Sequence, residues 1–202
     1  LADITEEANK GEYDLLLVGI GQSIFQGTIL GKVLDFATKM ANPHWLLDKI
    51  TGKEKLFDHS PFDERTHQIL TNTRIPVGVL INKGLQNIDK VLLPVFSTDD
   101  TCLISYARKI IINSRAHVNV LDTEGIVHSN PAIREDISAI EQIAPDLIEL
   151  TGDGKFNTDI LEQYDLMLTS IESWKKWGGL ESYWFKEAPT LFILKDVGAR
   201  SN

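Results

Sequence analysis

The sequence predicts an α/β protein: an open, mostly parallel five-stranded sheet with helices on both faces, plus a partial second unit. Three observations support this prediction. Five short apolar runs in the second part of the chain alternate with amphipathic segments, which is typical of parallel strands joined by right-handed crossover helices. The first part of the chain carries only two further strand-like runs. Hydrophobic residues make up 43% of the 202 residues, which is enough to bury a core.

The five strands of the complete unit are short apolar runs bounded by turn or capping residues. We predict them at residues 91–96, 117–122, 147–150, 166–169 and 190–194. After the first strand, apolar residues recur at three- and four-residue spacings over 103–111, which indicates an amphipathic helix. Pro131 suits the first turn of the next helix, and a short helix is predicted over 157–163.

The first part of the chain matches the last two strands of that unit. The dipeptide Tyr-Asp opens an apolar run at residues 13–18 and again at 164–169. A proline opens each of the runs 76–81 and 189–194. Because the two landmarks occur in the same order in both places, we interpret the first part as a truncated copy of the second.

We therefore predict two units, a partial one over residues 1–88 and a complete one over residues 89–202. The strand at 76–81 would be an exposed apolar edge if it were unpaired, and proteins avoid such edges. This strand therefore needs a pairing partner. Helices of the partial unit are predicted over 27–40, 45–50 and 61–71.

Composition and charge exclude several classes of protein. The formal net charge is -9, from 20 basic and 29 acidic residues, so the chain lacks the basic footprint that nucleic-acid binding needs. The single cysteine, Cys102, cannot form an internal disulfide, which is typical of a reducing compartment. No apolar run approaches the roughly 18 residues of a membrane span, and the first residues do not form a signal peptide. We expect a soluble, cytoplasmic chain.

The best candidate for a ligand site is the glycine-containing segment after the first strand. Gly19 and Gly21 would let backbone N–H groups approach a phosphate. A dinucleotide fingerprint requires a glycine where this chain has Ile24. A P-loop requires four residues between its glycines, whereas three separate Gly27 from Gly31. Neither motif fits this segment.

The remaining residues suggest neither catalysis nor metal binding. The candidate metal ligands are Asp58, His59, Asp63, Glu64 and His67. Acids at a helix start explain this pattern better than a metal does, because no spacing brings His59 to His67. A cysteine catalyst needs a base beside its nucleophile, and Cys102 is interpreted as a packed or surface thiol of the predicted helix. No serine stands on a nucleophile elbow, so we predict no metal site and no enzyme activity.

An aromatic group near the end of the chain contains three of the four tryptophans. Its members are Trp174, Trp177, Tyr183, Trp184 and Phe185. Rings of this kind are enriched at subunit contacts and at lipid headgroups, but they also cover the ends of sheets as local cores. We favour the local core for most of the rings and expect one or two to be exposed.

The two units resemble universal stress protein domains. The run 13–18 with its Tyr-Asp start, the glycines at 19, 21 and 31, and Pro76 before a final strand resemble the end of such a domain. The runs 91–95 and 117–121, with an amphipathic helix between them, resemble the beginning of a second one. Three segments of the partial unit are similar to the cytosolic tails of bacterial sodium/proton antiporters: residues 27–32, 46–55 and 60–65.

The antiporter resemblance implies a non-catalytic regulatory or assembly domain of a cation (sodium)/proton antiporter. Its partners would be the membrane transporter portion of the same polypeptide and a second copy in a homodimer, with no nucleic acid involved. It would then lie in the cytoplasm, at the inner face of the cell membrane. The stress-protein resemblance implies the alternative, a universal stress protein that senses ATP or AMP. It also implies that the final strands of two tandem units can pair, so we expect 76–81 to approach 190–194 or a symmetry-related copy.

The stress-protein resemblance also implies where a nucleotide would bind. Gly21 and Gly31 match two glycines of the ATP-binding loop, Gly19 matches a third if one residue is deleted, and Lys32 replaces a hydroxyl residue. We interpret these four residues as a degenerate nucleotide loop. In the complete unit, residues 169–172 stand where the loop belongs and Phe96 takes the position of the family's acidic residue. We therefore expect Phe96 and Glu172 to close that crevice, and we expect no cofactor.

Overall fold

The computed structural model describes residues 2–21, 62, 64–152, 156, 158–178 and 184–197. Its strands are β1 (Leu16–Gly21), β2 (Val77–Asn82), β3 (Lys90–Val95), β4 (His117–Asp122), β5 (Ile148–Gly152), β6 (Leu166–Ser170) and β7 (Thr190–Lys195). Its α-helices are α1 (Ala2–Ala8), α2 (Glu64–Asn72), α3 (Leu103–Ser114), α4 (Ile126–Ser129), α5 (Pro131–Ile143), α6 (Ile171–Gly178) and α7 (Trp184–Glu187). Two 3₁₀ helices are η1 (Thr98–Cys102) and η2 (Thr158–Gln163). The predicted α/β class is confirmed.

All seven strands form one sheet in the order β1-β2-β7-β6-β3-β4-β5. Every neighbouring pair is parallel except β2 and β7, which are antiparallel. The predicted mostly parallel sheet is confirmed, but the strands of the two predicted units join into seven instead of standing as five plus a separate part. The expected approach of 76–81 to 190–194 is also confirmed, since Val79 pairs with Ile193. This pairing removes the exposed edge that an isolated β2 would present.

The register of the β2/β7 pair agrees with the repeat seen in the sequence. The repeat aligns Pro76 with Pro189, and therefore Val79 with Phe192 and Leu80 with Ile193. In the sheet Val79 pairs with Ile193 and Leu80 pairs with Phe192. Exchanging the two strands turns the first pair into the second, so a local two-fold axis passes between them. The boundaries 1–88 and 89–202 stay a prediction.

Alternating side chains of the strands form two cores, one on each face of the sheet. On one face Val91, Leu93 and Val95 of β3 pack with the apolar sides of α3 and α5. On the other face Leu92 lies in the core to which α2, α6 and η2 contribute. Because strand residues point alternately to opposite faces, this arrangement confirms the prediction of helices on both faces.

Three predicted boundaries are corrected by the structure. β1 begins at Leu16 instead of residue 13 and extends to Gly21, because its ladder with β2 continues to the pair Gly21–Asn82. Cys102 ends η1 and precedes α3 instead of lying inside the helix. The segment predicted as a helix over 157–163 is 3₁₀ over its described residues. The helices predicted over 27–40 and 45–50 lie outside the described residues.

One close approach seals the junction of β2 and β7. Gly78 lies beneath the ring of Phe192, and a Cβ placed on Gly78 would be 2.6 Å from Phe192 Cε2 and 2.7 Å from Cζ. The ring in turn packs near Tyr106 of α3, with ring centroids 6.0 Å apart. The sheet therefore needs a residue without a side chain at this position of β2.

Candidate functional site

The strand order places a crevice at the carboxyl ends of β3 and β6. β3 pairs with β4 on one side and with β6 on the other, so crossover helices leave the two strands on opposite faces. Open α/β sheets bind their ligands at such a switch point. We therefore place the candidate site at the carboxyl ends of β3 and β6.

Local sequence folds the first wall of the crevice into a short 3₁₀ helix. Ser97 follows β3 in extended conformation and caps the start of η1. Asp100 stands three residues later, where the acidic residue of a capping box reaches back to the backbone of the cap. Its carboxylate accepts a hydrogen bond from the Ser97 N–H at 3.0 Å.

The same carboxylate also binds the opposite wall. Asp100 Oδ2 accepts from the Phe96 N–H at 2.9 Å and from Ser173 Oγ at 2.7 Å, while Oδ1 accepts from the Ser170 N–H at 3.2 Å. Asp100 is 0% exposed. The end of β3 and the end of β6 are therefore joined by one buried side chain of the chain itself.

This arrangement decides what the crevice can bind. The backbone N–H groups that could hold a phosphate already donate to a carboxylate. A second anion about 4 Å from Asp100 would be repelled by roughly 4 kcal/mol at an effective dielectric constant of 20. The geometry favours a closed, internally satisfied crevice over an anionic ligand site.

The two residues expected to close the crevice contribute differently. Phe96 is buried, and its ring packs edge-on against Phe156 with centroids 5.3 Å apart. Glu172 lies in the first turn of α6 with an exposed side chain. Partial desolvation, with smaller contributions from Asp99 and Asp100, raises the pKa of Glu172. The carboxylate inside the crevice is thus Asp100, and the expectation that assigned this role to Glu172 is corrected.

Sequence reasoning missed Asp100, although part of the signal was present. Ser97 and Asp100 stand three residues apart immediately after a predicted strand, which is the spacing of a capping box. The other half of the site was not readable, because Ser170 and Ser173 are 70 and 73 residues away in sequence. No local pattern identifies a contact of that separation.

The predicted nucleotide loop is only partly within the described residues. Gly19 and Gly21 lie inside β1, where they pair with Leu80 and Asn82, and not in a loop after the strand. Gly31 and Lys32 lie outside the described residues. Their joint role in nucleotide binding stays a prediction.

Of the candidate metal ligands, Glu64 and His67 lie in α2, and Asp58, His59 and Asp63 lie outside the described residues. Among the described residues, no group of three or more His, Cys, Asp or Glu side chains could hold a metal ion. Burial, aided by the nearby carboxylates of Asp196, Asp100 and Glu172, raises the pKa of the Cys102 thiol to about 12. The thiol donates to the Asp99 carbonyl at 3.1 Å. A thiol that stays protonated in this way is a poor nucleophile.

A second buried carboxylate ends β4. Asp122 Oδ2 accepts from the His128 N–H at 2.9 Å and lies 3.2 Å from His128 Nδ1. The imidazole side chain is 63% exposed. These contacts hold α4 against the end of β4.

Two members of the aromatic group, Trp174 and Phe185, have described side chains, and both belong to a local core. Trp174 is 2% exposed, and its ring stacks on Phe62 at 6.4 Å and meets the edge of Phe185 at 5.6 Å between centroids. The predictions for Trp177, Tyr183 and Trp184 concern side chains outside the described part of the structure.

Lys83 ties this aromatic core to the end of β2. Its Nζ donates to the Phe185 and Ala188 carbonyls and lies 4.1 Å from the centroid of the Phe185 ring. Burial lowers the pKa of Lys83 to about 8. An ammonium held by carbonyls and a ring face, with its charge partly desolvated, is sensitive to pH.

Comparisons with known proteins find distant structural neighbours only. No family model matches the chain, and no curated protein matches it. A universal stress protein solved in complex with cAMP shares 14% identity at a TM-score of 0.40, covering 56% of this chain and 100% of that one. A universal stress protein from Archaeoglobus fulgidus DSM 4304 shares 11% identity at a TM-score of 0.47, covering 95% of this chain. The match spans 63% of that protein.

Both of these neighbours are named as universal stress proteins. Neither of the two is described as part of an antiporter. Within the described residues, no helix has both the length and the apolar character needed to cross a membrane.

Proposed function

We propose that this chain is a non-catalytic regulatory or assembly module with a universal stress protein-like fold. The observation that carries the proposal is the Asp100 carboxylate, which fills the switch-point crevice and uses the N–H groups of Phe96, Ser97 and Ser170. A module whose ligand crevice is occupied by its own side chain acts through its surfaces. The antiparallel β2/β7 junction, which joins two sets of strands in one sheet, suits such an assembly role.

The finer form of the proposal is the cytosolic tail of a sodium/proton antiporter. It is supported by the sequence similarity of residues 27–32, 46–55 and 60–65 to such tails. The partners are then the membrane transporter portion of the same polypeptide and a second copy of the chain, with no nucleic acid, at the inner face of the cell membrane. The reading frame upstream of Leu1 tests this form: a series of apolar spans supports it, and a start codon without such spans contradicts it.

The alternative is a nucleotide-binding universal stress protein that senses ATP or AMP. A nucleotide would then bind near Gly19 and Gly21, at the carboxyl end of β1. Because β1 and β2 run antiparallel to the other strands, this end lies at the edge of the sheet opposite to the Asp100 crevice. This alternative requires phosphate donors that are free to bind.

Isothermal titration calorimetry with ATP and AMP distinguishes the proposed non-catalytic module from the nucleotide-binding alternative. We expect no saturable binding up to millimolar nucleotide for the wild type. The Glu172→Gln variant is the matched control: it removes the exposed carboxylate near the crevice but leaves Asp100 in place, so it should not bind either. Saturable micromolar binding by the wild type would overturn the proposal. Its loss in Gly21→Val would then place the nucleotide at β1.

A further inference from the structure

The crevice has the composition of an anion-binding site. Three backbone N–H groups, from Phe96, Ser97 and Ser170, converge on the Asp100 carboxylate together with the Ser173 hydroxyl. The Ser97 hydroxyl lies at the limit of hydrogen-bond distance, 3.5 Å from Oδ2. Backbone N–H groups that converge in this way form anion-binding concavities.

The charge of Asp100 is stabilised by neutral donors. Among the described residues no basic side chain pairs with Asp100, whereas the buried carboxylate of Asp122 lies 3.2 Å from His128 Nδ1. A buried carboxylate is costly unless fixed dipoles replace its water. Here those dipoles come from the ends of two strands and from α6, which lie in different parts of the sequence. Because the donors belong to separate elements, the fold holds them in place before any carboxylate binds. A local helix cap would supply only some of them.

From this geometry we infer that the crevice is a carboxylate-binding site whose resident ligand is the side chain of Asp100. The inference rests on the proposed function, because it explains why the crevice takes no external ligand. Four of the five contacts lie within 3.2 Å, and both carboxylate oxygens are engaged. The site therefore suits a planar carboxylate, and it holds the walls of the crevice in the arrangement that a bound ligand would impose.

Chemical rescue tests the inference. Asp100→Gly deletes the side chain and leaves room for acetate, whose atoms correspond to those removed. Asp100→Ala keeps the methyl group, so only the smaller formate fits beside it. The thermal midpoint of each variant is measured in about 0.3 M sodium acetate, formate, phosphate and chloride. The matching carboxylate is acetate for Asp100→Gly and formate for Asp100→Ala. It should raise the thermal midpoint by about 3–6 °C relative to chloride.

Control variants separate a bound anion from a general salt effect. Wild type should show no carboxylate-specific shift, because its own side chain occupies the site. Asp99→Ala removes the same charge from an exposed neighbour and should behave as the wild type. Asp100→Asn fills the space without the charge and should not respond to carboxylates.

The outcomes are distinct from those of the nucleotide titration. If a variant is unfolded in chloride, recovery of its circular dichroism spectrum in the matching carboxylate supports the inference. Variants that unfold equally in all salts, or that fold in none, would show that Asp100 only caps a helix. Rescue by phosphate without rescue by a carboxylate would overturn the ligand class. None of these results depends on whether the wild type binds ATP.

Discussion

The junction between β2 and β7 depends on the absence of a side chain at Gly78. In the variant Gly78→Ala the new Cβ would lie 2.6 Å from Phe192 Cε2 and 2.7 Å from Cζ. Since carbon atoms normally pack about 3.5–4.0 Å apart, the ring has to move by about 1 Å. Tyr106 on α3 lies against that ring, so the displacement spreads into the core on that face.

The magnitude follows from two opposing effects. Overpacking of this kind costs about 1–3 kcal/mol, whereas replacing a glycine inside a strand stabilises by about 0.5–1 kcal/mol. We therefore expect Gly78→Ala to lower the free energy of unfolding by about 1–2 kcal/mol, or the thermal midpoint by about 2–6 °C. Urea denaturation followed by circular dichroism measures the first quantity and calorimetry measures the second.

A double-mutant cycle assigns the loss to the ring. In a Phe192→Leu background the alanine at position 78 meets a smaller side chain, so its cost should fall by about 1 kcal/mol or more. Gly19→Ala in the neighbouring strand β1 is the matched control, because no described atom lies within 4 Å of its added Cβ. That change should be neutral or stabilising by up to about 1 kcal/mol. Equal effects at both glycines, or a cost at Gly78 that is independent of Phe192, would refute the reasoning.

Three further predictions concern charge, backbone conformation and capping. Because burial lowers the pKa of Lys83 from the usual 10.5 to about 8, the unfolded chain binds more protons between these values, and stability due to this group rises with pH. Relative to Lys83→Met, the free energy of unfolding of the wild type should rise by about 1–2 kcal/mol from pH 7 to pH 10 once partial exposure is allowed for. Urea titrations in which this difference does not change with pH would contradict the prediction. Lys90→Met, at an exposed lysine, is the control and should leave the pH dependence unchanged. Arg115 ends α3 with a φ of 60°, so Arg115→Gly should stabilise the protein by about 0.5–1 kcal/mol. Arg108→Gly, within α3, should destabilise it by a similar amount. Thermal unfolding measures both, and destabilisation by both variants would contradict the prediction. Asp165 Oδ2 accepts from the Asp89 and Lys90 N–H groups at 3.0 and 2.8 Å, so Asp165→Ala should lower the free energy of unfolding by about 1–3 kcal/mol. Asp136→Ala, on the exposed side of α5, should lower it by less than about 0.5 kcal/mol. Equal losses in the two variants, measured by urea denaturation, would show that these hydrogen bonds contribute little.

The elements of the complete unit were predictable because their signals are local. Apolar runs bounded by turn residues located β3 to β7, and three- and four-residue spacing located α3 and α5. These two kinds of signal each extend over fewer than about 15 residues, which is the range over which periodicity reports on secondary structure. The approach of β2 to β7 was expected on other grounds: an unpaired β2 would be an exposed edge, and the stress-protein resemblance implies that the final strands of two units pair.

The candidate site was less predictable, because it depends on contacts between distant segments. Asp100 was visible as part of a possible helix cap, but its bonds to Ser170 and Ser173 cross 70 residues or more. The end of β1 was also placed too early, because glycine usually signals a turn. Here pairing with β2 keeps Gly19 and Gly21 in the strand.

The antiparallel junction gives the sheet two poles. β1 and β2 run opposite to the other five strands, so their carboxyl ends emerge at the edge where β7 begins. The sealed crevice of Asp100 lies at one pole, and Gly21, Asn82 and Lys83 lie at the other. A six-residue strand such as β2 spans about 20 Å, so a small ligand bound at one pole does not touch the other. Coupling between two such ligands has to pass through the sheet that the poles share.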